Sequence, residues 1–207
     1  MTMRARVVLV AVLAMAARAG AEASPAAQVI AHLDEGILAV MKEGEALGYQ
    51  GRVARYGPLV EGAYDIAFMA EKSLGQGWKN LSETDRASWI ALSREFSVAN
   101  YAANFDHFSG QTIEIVGEEP GAADTQLVRT KISDPAGESI EMNYRLRATD
   151  AGWRIVDVYL KGTVSELALR RADYTSMLER SGFETLVVTM RSRIADLAAG
   201  RGRHKGP

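Results

Sequence analysis

The segment Trp153-Arg-Ile-Val-Asp-Val-Tyr-Leu-Lys-Gly-Thr-Val-Ser-Glu-Leu-Ala-Leu-Arg-Arg-Ala-Asp-Tyr174 decides the fold of this chain. Its first part is rich in β-branched and aromatic residues, which predicts a buried strand. Gly162 interrupts that pattern, and apolar residues at helical spacing follow. The segment therefore predicts a strand that is joined through a glycine hinge to an amphipathic helix. Its residues show no arrangement that suggests catalysis.

The region before this segment alternates between apolar and polar residues, as half-buried strands do. With the segment itself it predicts four strands, at about 111–116, 126–133, 139–147 and 153–161. The third strand is the clearest, because one of its faces is wholly apolar: Ile140, Met142, Tyr144 and Leu146. Turn residues between successive strands predict antiparallel neighbours. We expect a meander with one face to cover, and a fourth strand that is central or covered twice.

Helical periodicity dominates the rest of the chain. The predicted helices cover residues 24–49, 59–70 and 82–108, followed by a helical hairpin over 167–197 with its break at Gly182. Residues 51–56 are predicted to be a connection between the first two helices. The expected fold is therefore α+β, with a helical layer packed on an antiparallel sheet.

The helix predicted at 82–108 has two apolar faces, whereas an ordinary surface helix has one. The first face comprises Trp89, Leu92, Phe96, Ala99 and Ala103, and the opposite face comprises Ile90, Val98, Tyr101, Phe105 and Phe108. Such a helix is either sandwiched between two layers or packed with one face on the core and the other on a ligand cavity.

The amino terminus has the features of a cleaved secretory signal. Residues 1–6 are basic, residues 7–17 are apolar, and small residues at Ala21 or Ala23 suit a signal peptidase. A membrane anchor is the competing interpretation, but a bilayer span needs roughly 20 apolar residues. We predict cleavage after residue 21 or 23, one domain over 22–199, and a mobile basic tail over 200–207.

Composition excludes several function classes. Removal of residues 1–21 leaves 21 basic and 26 acidic residues, a formal charge of −5, which argues against nucleic acid as a partner. The chain has no cysteine, and its three histidines, His32, His107 and His204, are scattered. No thiolate, metal site or bound cofactor is therefore expected.

Several stretches in order along the chain resemble the MlaC and toluene-tolerance family of periplasmic lipid carriers. They are residues 64–75, Trp78, residues 96–101, residues 143–146 and residues 152–158. The segment at 162–174 departs from the Gly-Val-Ser-x-x-x-x-Tyr-Arg type of sequence that is usual in phospholipid carriers. In that respect the chain is closer to the hopanoid-cluster, HpnM-like branch of the family.

The resemblance implies a curved sheet and a helical layer, MlaC-like and NTF2-like, that enclose a deep apolar cavity for lipid. It implies a monomeric periplasmic carrier that takes a hopanoid or a phospholipid between the inner and outer membranes. The implied partners are an inner-membrane ABC/RND-type transporter complex and an outer-membrane lipid-handling protein, with transient contact to the membrane surface.

The candidate lipid-binding residues are large apolar or aromatic side chains of the helices and the sheet. They are Ile37, Met41, Phe68, Met69, Trp89, Phe96, Tyr101, Phe105, Phe108, Met142, Tyr144, Trp153, Val158, Leu160, Tyr174 and Leu178. Ordinary core packing is the alternative for each of them. Asp157 and Arg171 are polar candidates. Asp157 pairs structurally or contacts a head group, and Arg171 serves partner docking or phosphate recognition, or lies on a solvated helix face.

Two other functions remain open at this stage. In an enzyme on the same fold, Asp157 would act as a general base on an apolar substrate, but no second convergent polar residue accompanies it. An envelope adaptor would instead bind proteins through its helices and have a filled core. A carrier without catalysis is the main prediction.

Overall fold

The structure is a computed structural model, and it describes residues 23–201. The predicted signal segment and nearly all of the predicted tail lie outside the described residues. Five antiparallel strands form one sheet in chain order: β1 Thr112–Pro120, β2 Thr125–Ser133, β3 Ser139–Thr149, β4 Gly152–Leu160 and β5 Val164–Ser165. The four predicted strands are present. β5 was missed because two residues are too short to show an alternating pattern.

Four α-helices and one 3₁₀ helix accompany the sheet: α1 Pro25–Ala63, α2 Ile66–Leu74, the 3₁₀ helix Gly75–Asn80, α3 Glu83–Asn104 and α4 Glu166–Ala198. The predicted α+β architecture is therefore confirmed. β1 runs four residues further than expected, to Pro120, because a bulge between Ile115 and Gly117 lets pairing with β2 continue.

α1 folds back on itself at Gly48, whose backbone has φ 60° and ψ −179°. Residues twelve apart in a straight helix would be about 18 Å apart, yet Arg55 and Glu43 form an ion pair at 3.4 Å. The buried Arg52 side chain bridges the bend in α1. It donates hydrogen bonds to the carbonyl oxygens of Gly44 and Ala102, both at 2.8 Å. These two bonds satisfy carbonyl groups that buried backbone cannot leave unpaired.

Two predicted boundaries in this region are wrong. Residues 51–56 are helical, not a connection, because Arg52 is buried and serves the fold of α1. The predicted helix at 59–70 is divided at residues 64–65, and α2 begins anew after Asp65, whose side chain accepts a hydrogen bond from the Phe68 amide at 3.0 Å. Asp65 is the N-cap, and an Asp in that position starts a helix more readily than it continues one.

α4 also consists of two antiparallel halves, which meet at Gly182 with φ 80° and ψ 170°. Arg193 donates a hydrogen bond to Asp173 at 2.8 Å across the two halves, although twenty residues separate them. The predicted helical hairpin is therefore present, and its break lies at the predicted glycine.

α3 is sandwiched between two hydrophobic cores, which was one of the two possibilities that its pattern left open. Val98 and Tyr101 face the core between α1 and the sheet, which we call the sheet-side core. Trp89 and Leu92 face a second core against α2 and α4, which we call the helix-side core. α3 ends at Asn104, not at 108: Phe105 has non-helical φ and ψ, and Phe108 is 39% exposed.

The two faces of the sheet differ sharply. Val128, Tyr144, Leu146 and Ile155 are fully buried in the sheet-side core, whereas the opposite face of β2 and β3 has arginine and lysine side chains. A register shift in the pairing of β3 with β4 makes Val156 a bulge. Val156 and Asp157 are buried on the far side of the sheet, so β4 is covered on both faces, as predicted.

Candidate functional site

A groove of about 660 Å³ lies between α2, the beginning of α4 and the charged face of β3 and β4. Its cationic side chains come from α2, β3 and α4, and its apolar floor comes from α2, β4 and α4. The cations are Lys72, Arg145, Arg147 and Arg171, and the apolar residues include Phe68, Val156, Leu167 and Ala168. We call this the basic groove. A concave surface with an apolar floor and a few charged groups can hold an amphiphile that has an anionic end.

Phe68 and Arg147 are held together in the groove. The Arg147 guanidinium lies over the Phe68 ring at 4.3 Å and donates to Asp65 at 2.6 and 3.0 Å. The Lys72 ammonium also lies over the Phe68 ring, 5.1 Å from its centroid. Asp65 therefore starts α2 and positions a groove cation at the same time.

Arg145 and Arg171 are the groove cations with fewer protein partners. Arg145 lies over the Tyr159 ring at 5.1 Å, and its buried Nε makes no hydrogen bond. Arg171 is exposed on α4, and its guanidinium lies beside Gly75 at the start of the 3₁₀ helix. The exposed guanidinium of Arg171 is available to an anion, for which arginine is well suited because its planar fork binds carboxylate or phosphate with two hydrogen bonds.

Asp157 is buried and holds β4 to the beginning of α4. One carboxylate oxygen accepts hydrogen bonds from the Val158 and Leu167 amides at 2.8 and 3.1 Å, and the other accepts from the Ser165 hydroxyl at 2.7 Å. Ser165 in turn caps α4 by accepting from the Ala168 amide at 2.9 Å. Both carboxylate oxygens are thus engaged in the hinge between strand and helix.

A second polar cluster lies inside the sheet-side core. Asp34 of α1, Tyr64 after α1, Tyr101 of α3 and Tyr144 of β3 are all buried. The Tyr64 and Tyr101 hydroxyls share a hydrogen bond at 2.6 Å. Burial raises the pKa of Asp34 to about 7 and raises the pKa of all three tyrosines well above the ordinary value. We call these four residues the core polar cluster.

The sequence-predicted candidates fall into four places. Phe68, Asp157 and Arg171 line the basic groove. The sheet-side core contains Ile37, Met41, Met69, Tyr101, Phe105, Met142, Tyr144, Trp153, Val158 and Leu160. The helix-side core contains Trp89, Phe96 and Tyr174, and Leu178 contacts Gly77 nearby. Phe108 lies apart from these, half exposed, with the Lys42 ammonium 5.4 Å from its ring.

Sequence reasoning named the groove residue Arg171 but missed Lys72, Arg145, Arg147 and Asp34. Arg145 and Arg147 were visible only as the charged face of the third strand, and nothing in the sequence brings Lys72 to them. Asp34 gave a clearer signal, since it occupies the apolar stripe of α1 between Ile30 and Ile37. An acidic residue on the buried face of a helix indicates either a structural pair or a site.

Neither a metal centre nor a membrane span emerges from residues 23–201. Over that range no three His, Cys, Asp or Glu side chains converge into a group that could hold a metal ion. The helices of the same range also include none with the length and apolar character needed to cross a bilayer.

Comparison with known proteins agrees with this architecture. The solved structure of a phospholipid-binding protein from Ralstonia solanacearum, in complex with a phospholipid, aligns with a TM-score of 0.73 at 18% sequence identity. The alignment covers 84% of this chain and 98% of that one, so the two proteins share a fold. The family model described as MlaC protein matches residues 32–192, which is well over half of the sequence. This chain therefore belongs to the MlaC protein family.

Proposed function

We propose that this chain is a periplasmic lipid carrier that moves a membrane lipid between the inner and outer membranes, together with an inner-membrane transporter and an outer-membrane partner. Membership of the MlaC family supports this proposal, as does a fold shared with a protein whose structure contains a phospholipid. The observation that supports it most directly is the basic groove, which joins an apolar floor to arginines from β3 and α4.

The groove and the sheet-side core use opposite faces of the sheet, but Phe68 and Leu167 line the groove and also pack against that core, so the two regions would divide the lipid between them around the edge of β4. Arg145 and Arg171 would hold an anionic head group, and the hydrocarbon would insert between the helices and the apolar face of the sheet. Each buried methylene contributes roughly 0.8 kcal/mol, so a single acyl chain supplies most of the affinity. The candidate lining residues of this proposal are those of the sheet-side core, including Met41, Met142 and Val158. Methionine suits this role because its flexible side chain adapts to different chain shapes.

The identity of the lipid follows from the same two regions. A cationic groove favours a lipid with a phosphate or another anionic group, such as a phospholipid. The unusual segment at 162–174 forms β5 and the beginning of α4, beside the groove, and its resemblance to the HpnM-like branch favours a hopanoid. A hopanoid without charge would gain nothing from Arg145 or Arg171, so the effect of these arginines on binding distinguishes the two cargoes.

An enzyme based on Asp157 has less support. A general base must have a free oxygen within reach of the substrate proton, and both Asp157 oxygens accept hydrogen bonds at the hinge. An adaptor with a filled core predicts that no lipid co-purifies, so lipid analysis tests it directly.

Native mass spectrometry with lipid extraction, on protein purified from its own periplasm, tests the carrier proposal. We expect one bound lipid per chain and a lower occupancy in Arg171→Gln. The matched control is Arg180→Gln, which removes the same charge from an exposed site on the same helix outside the groove. Protein that contains no lipid, and that takes none from vesicles of phosphatidylglycerol and phosphatidylethanolamine, would refute a carrier function.

A further inference from the structure

The core polar cluster places four polar side chains inside an otherwise apolar core. Asp34, Tyr64 and Tyr101 are 5%, 8% and 8% exposed, and Tyr144 is fully buried. The four side chains come from separate parts of the chain, and Asp34 interacts electrostatically with all three tyrosines. The surrounding side chains, such as Ile30 and Leu146, are apolar. A core with only apolar side chains at these positions would avoid the cost of burying polar groups.

Two members of the cluster have unsatisfied polar atoms. Asp34 Oδ1 and the Tyr144 hydroxyl are buried without a hydrogen-bond partner. The Tyr144 and Tyr101 hydroxyls lie close enough to affect each other's pKa, but the hydrogen bond of Tyr101 goes to Tyr64, which leaves the Tyr144 hydroxyl without a well-formed hydrogen bond. Buried polar atoms in native proteins are nearly always paired, and an exception calls for a reason such as a ligand.

We propose that Asp34 and Tyr144, supported by the Tyr64–Tyr101 pair, form a hydrogen-bonding site inside the sheet-side core for a hydroxyl group at the buried end of a lipid. This inference rests on the proposed carrier function and deepens it, because it specifies a hydroxyl group at the buried end of the lipid. It concerns the opposite end of the lipid from the basic groove.

The chemistry of the cluster favours an uncharged hydroxyl. Its four side chains include no cation, and although Arg170 interacts electrostatically with Tyr64, an anionic group would be repelled by Asp34 in its ionised form. A hydroxyl can donate to Asp34 Oδ1 and accept from the Tyr144 hydroxyl, which pairs both orphan atoms at once. A site built to hydrogen-bond a hydroxyl discriminates strongly against the analogue that lacks it, because the site's own polar groups then stay unpaired.

Two fatty acids of equal chain length test this inference: hexadecanoic acid and 16-hydroxyhexadecanoic acid. The carboxylate of either probe can occupy the basic groove, and only the second probe brings a hydroxyl to the far end. We expect delipidated protein to bind the hydroxy acid about tenfold more tightly in calorimetry, in line with one or two net hydrogen bonds.

Four variants locate the effect. Tyr144→Phe removes only the hydroxyl, and Asp34→Leu removes the carboxylate. Each should reduce the tenfold preference to about twofold or less by weakening the hydroxy acid alone. Tyr174→Phe, the control, removes a buried hydroxyl from the helix-side core and should keep the full preference. Arg171→Gln should weaken both probes equally, since it acts on the carboxylate end.

The outcomes separate the two proposals. If wild-type protein binds both probes equally, or if the preference survives in both Tyr144→Phe and Asp34→Leu, the hydroxyl site is refuted and the carrier proposal stands. If wild-type protein binds neither probe, the hydroxyl site is refuted, and the analysis of co-purified and vesicle-derived lipid decides the carrier proposal separately. The melting temperature of each variant, measured on the same samples, shows that the fold is intact; Tyr144→Phe should not lower it, because an unpaired buried hydroxyl is lost.

Discussion

The Arg147 guanidinium donates two hydrogen bonds to the Asp65 carboxylate, at 2.6 and 3.0 Å, and so ties β3 to the beginning of α2. The other Asp65 oxygen accepts from the Phe68 amide and caps that helix. One carboxylate therefore fixes a sheet strand, a helix terminus and the aromatic residue beneath Arg147. The geometry of the basic groove depends on this contact between residues 82 positions apart.

Asp65→Ala should destabilise the protein more than the loss of an ordinary surface ion pair does. It removes a helix cap, worth about 1 kcal/mol, and a partly buried charged pair, worth about 1–3 kcal/mol. We expect the free energy of unfolding in urea to fall by about 2–4 kcal/mol. Glu43→Ala is the control: it breaks the exposed Arg55–Glu43 pair and should cost less than about 0.5 kcal/mol. Equal losses in the two variants would contradict the role assigned to Asp65.

Asp34 should make the protein less stable as the pH rises. Its pKa is about 7 in the folded state and 3.8 in the reference state, so between these values the folded chain retains a proton that the unfolded chain releases. The free energy of unfolding should therefore fall from about pH 4 to pH 7, by about 4 kcal/mol from this residue. Urea denaturation across this range should show that contribution in the wild type.

The Asp34→Asn variant isolates the effect, because asparagine does not titrate. The difference in unfolding free energy between wild type and Asp34→Asn should change steadily across pH 4–7. Asp196→Asn, at an exposed ion pair with Arg201, is the control and should give a nearly constant difference. A constant difference for Asp34→Asn as well would mean that its carboxyl titrates normally and is not held in an apolar core.

Substitution by alanine at two glycines of α1 should change the free energy of unfolding in opposite directions. Gly48 has φ 60° and ψ −179°, a backbone conformation open essentially to glycine alone, so Gly48→Ala should cost about 1–3 kcal/mol. Gly62 is exposed in the helical part of α1 with nothing near its missing Cβ. Gly62→Ala should stabilise by about 0.5–1 kcal/mol. If Gly48→Ala proves neutral in thermal unfolding, α1 does not fold back there.

The sequence pattern predicted what depends on local periodicity. The alternation of apolar and polar residues predicted the buried face of β3, including Tyr144 and Leu146. The two apolar stripes of α3 predicted that this helix lies between two layers. The pattern failed where a distant partner decides the structure. Residues 51–56 have the composition of a loop, yet they are helical because Arg52 reaches Gly44 and Ala102.

The candidate site was less predictable than the fold for the same reason. The basic groove combines side chains of α2, β3 and α4, and no sequence spacing brings Phe68, Arg145 and Arg171 together. Aromatic content alone also could not distinguish residues of the two cores. Trp89 and Tyr101 belong to opposite faces of one helix, but both met the same criterion for a lipid-lining residue.

The division of α3 between two cores gives a final prediction, because only the sheet-side core takes part in the proposed lipid binding. Trp89 is fully buried in the helix-side core, where its ring meets that of Tyr174 edge-on at 5.4 Å. Trp89→Phe leaves a cavity and should cost about 2 kcal/mol, with bound lipid unchanged. Val158→Trp adds bulk to the sheet-side core and should instead displace lipid. Val188→Trp, at a site that is 60% exposed on α4, is the control for the added tryptophan. Lipid content and melting temperature, measured on the same samples, test this assignment. If Trp89→Phe loses as much lipid as Val158→Trp does, the cargo occupies both sides of α3.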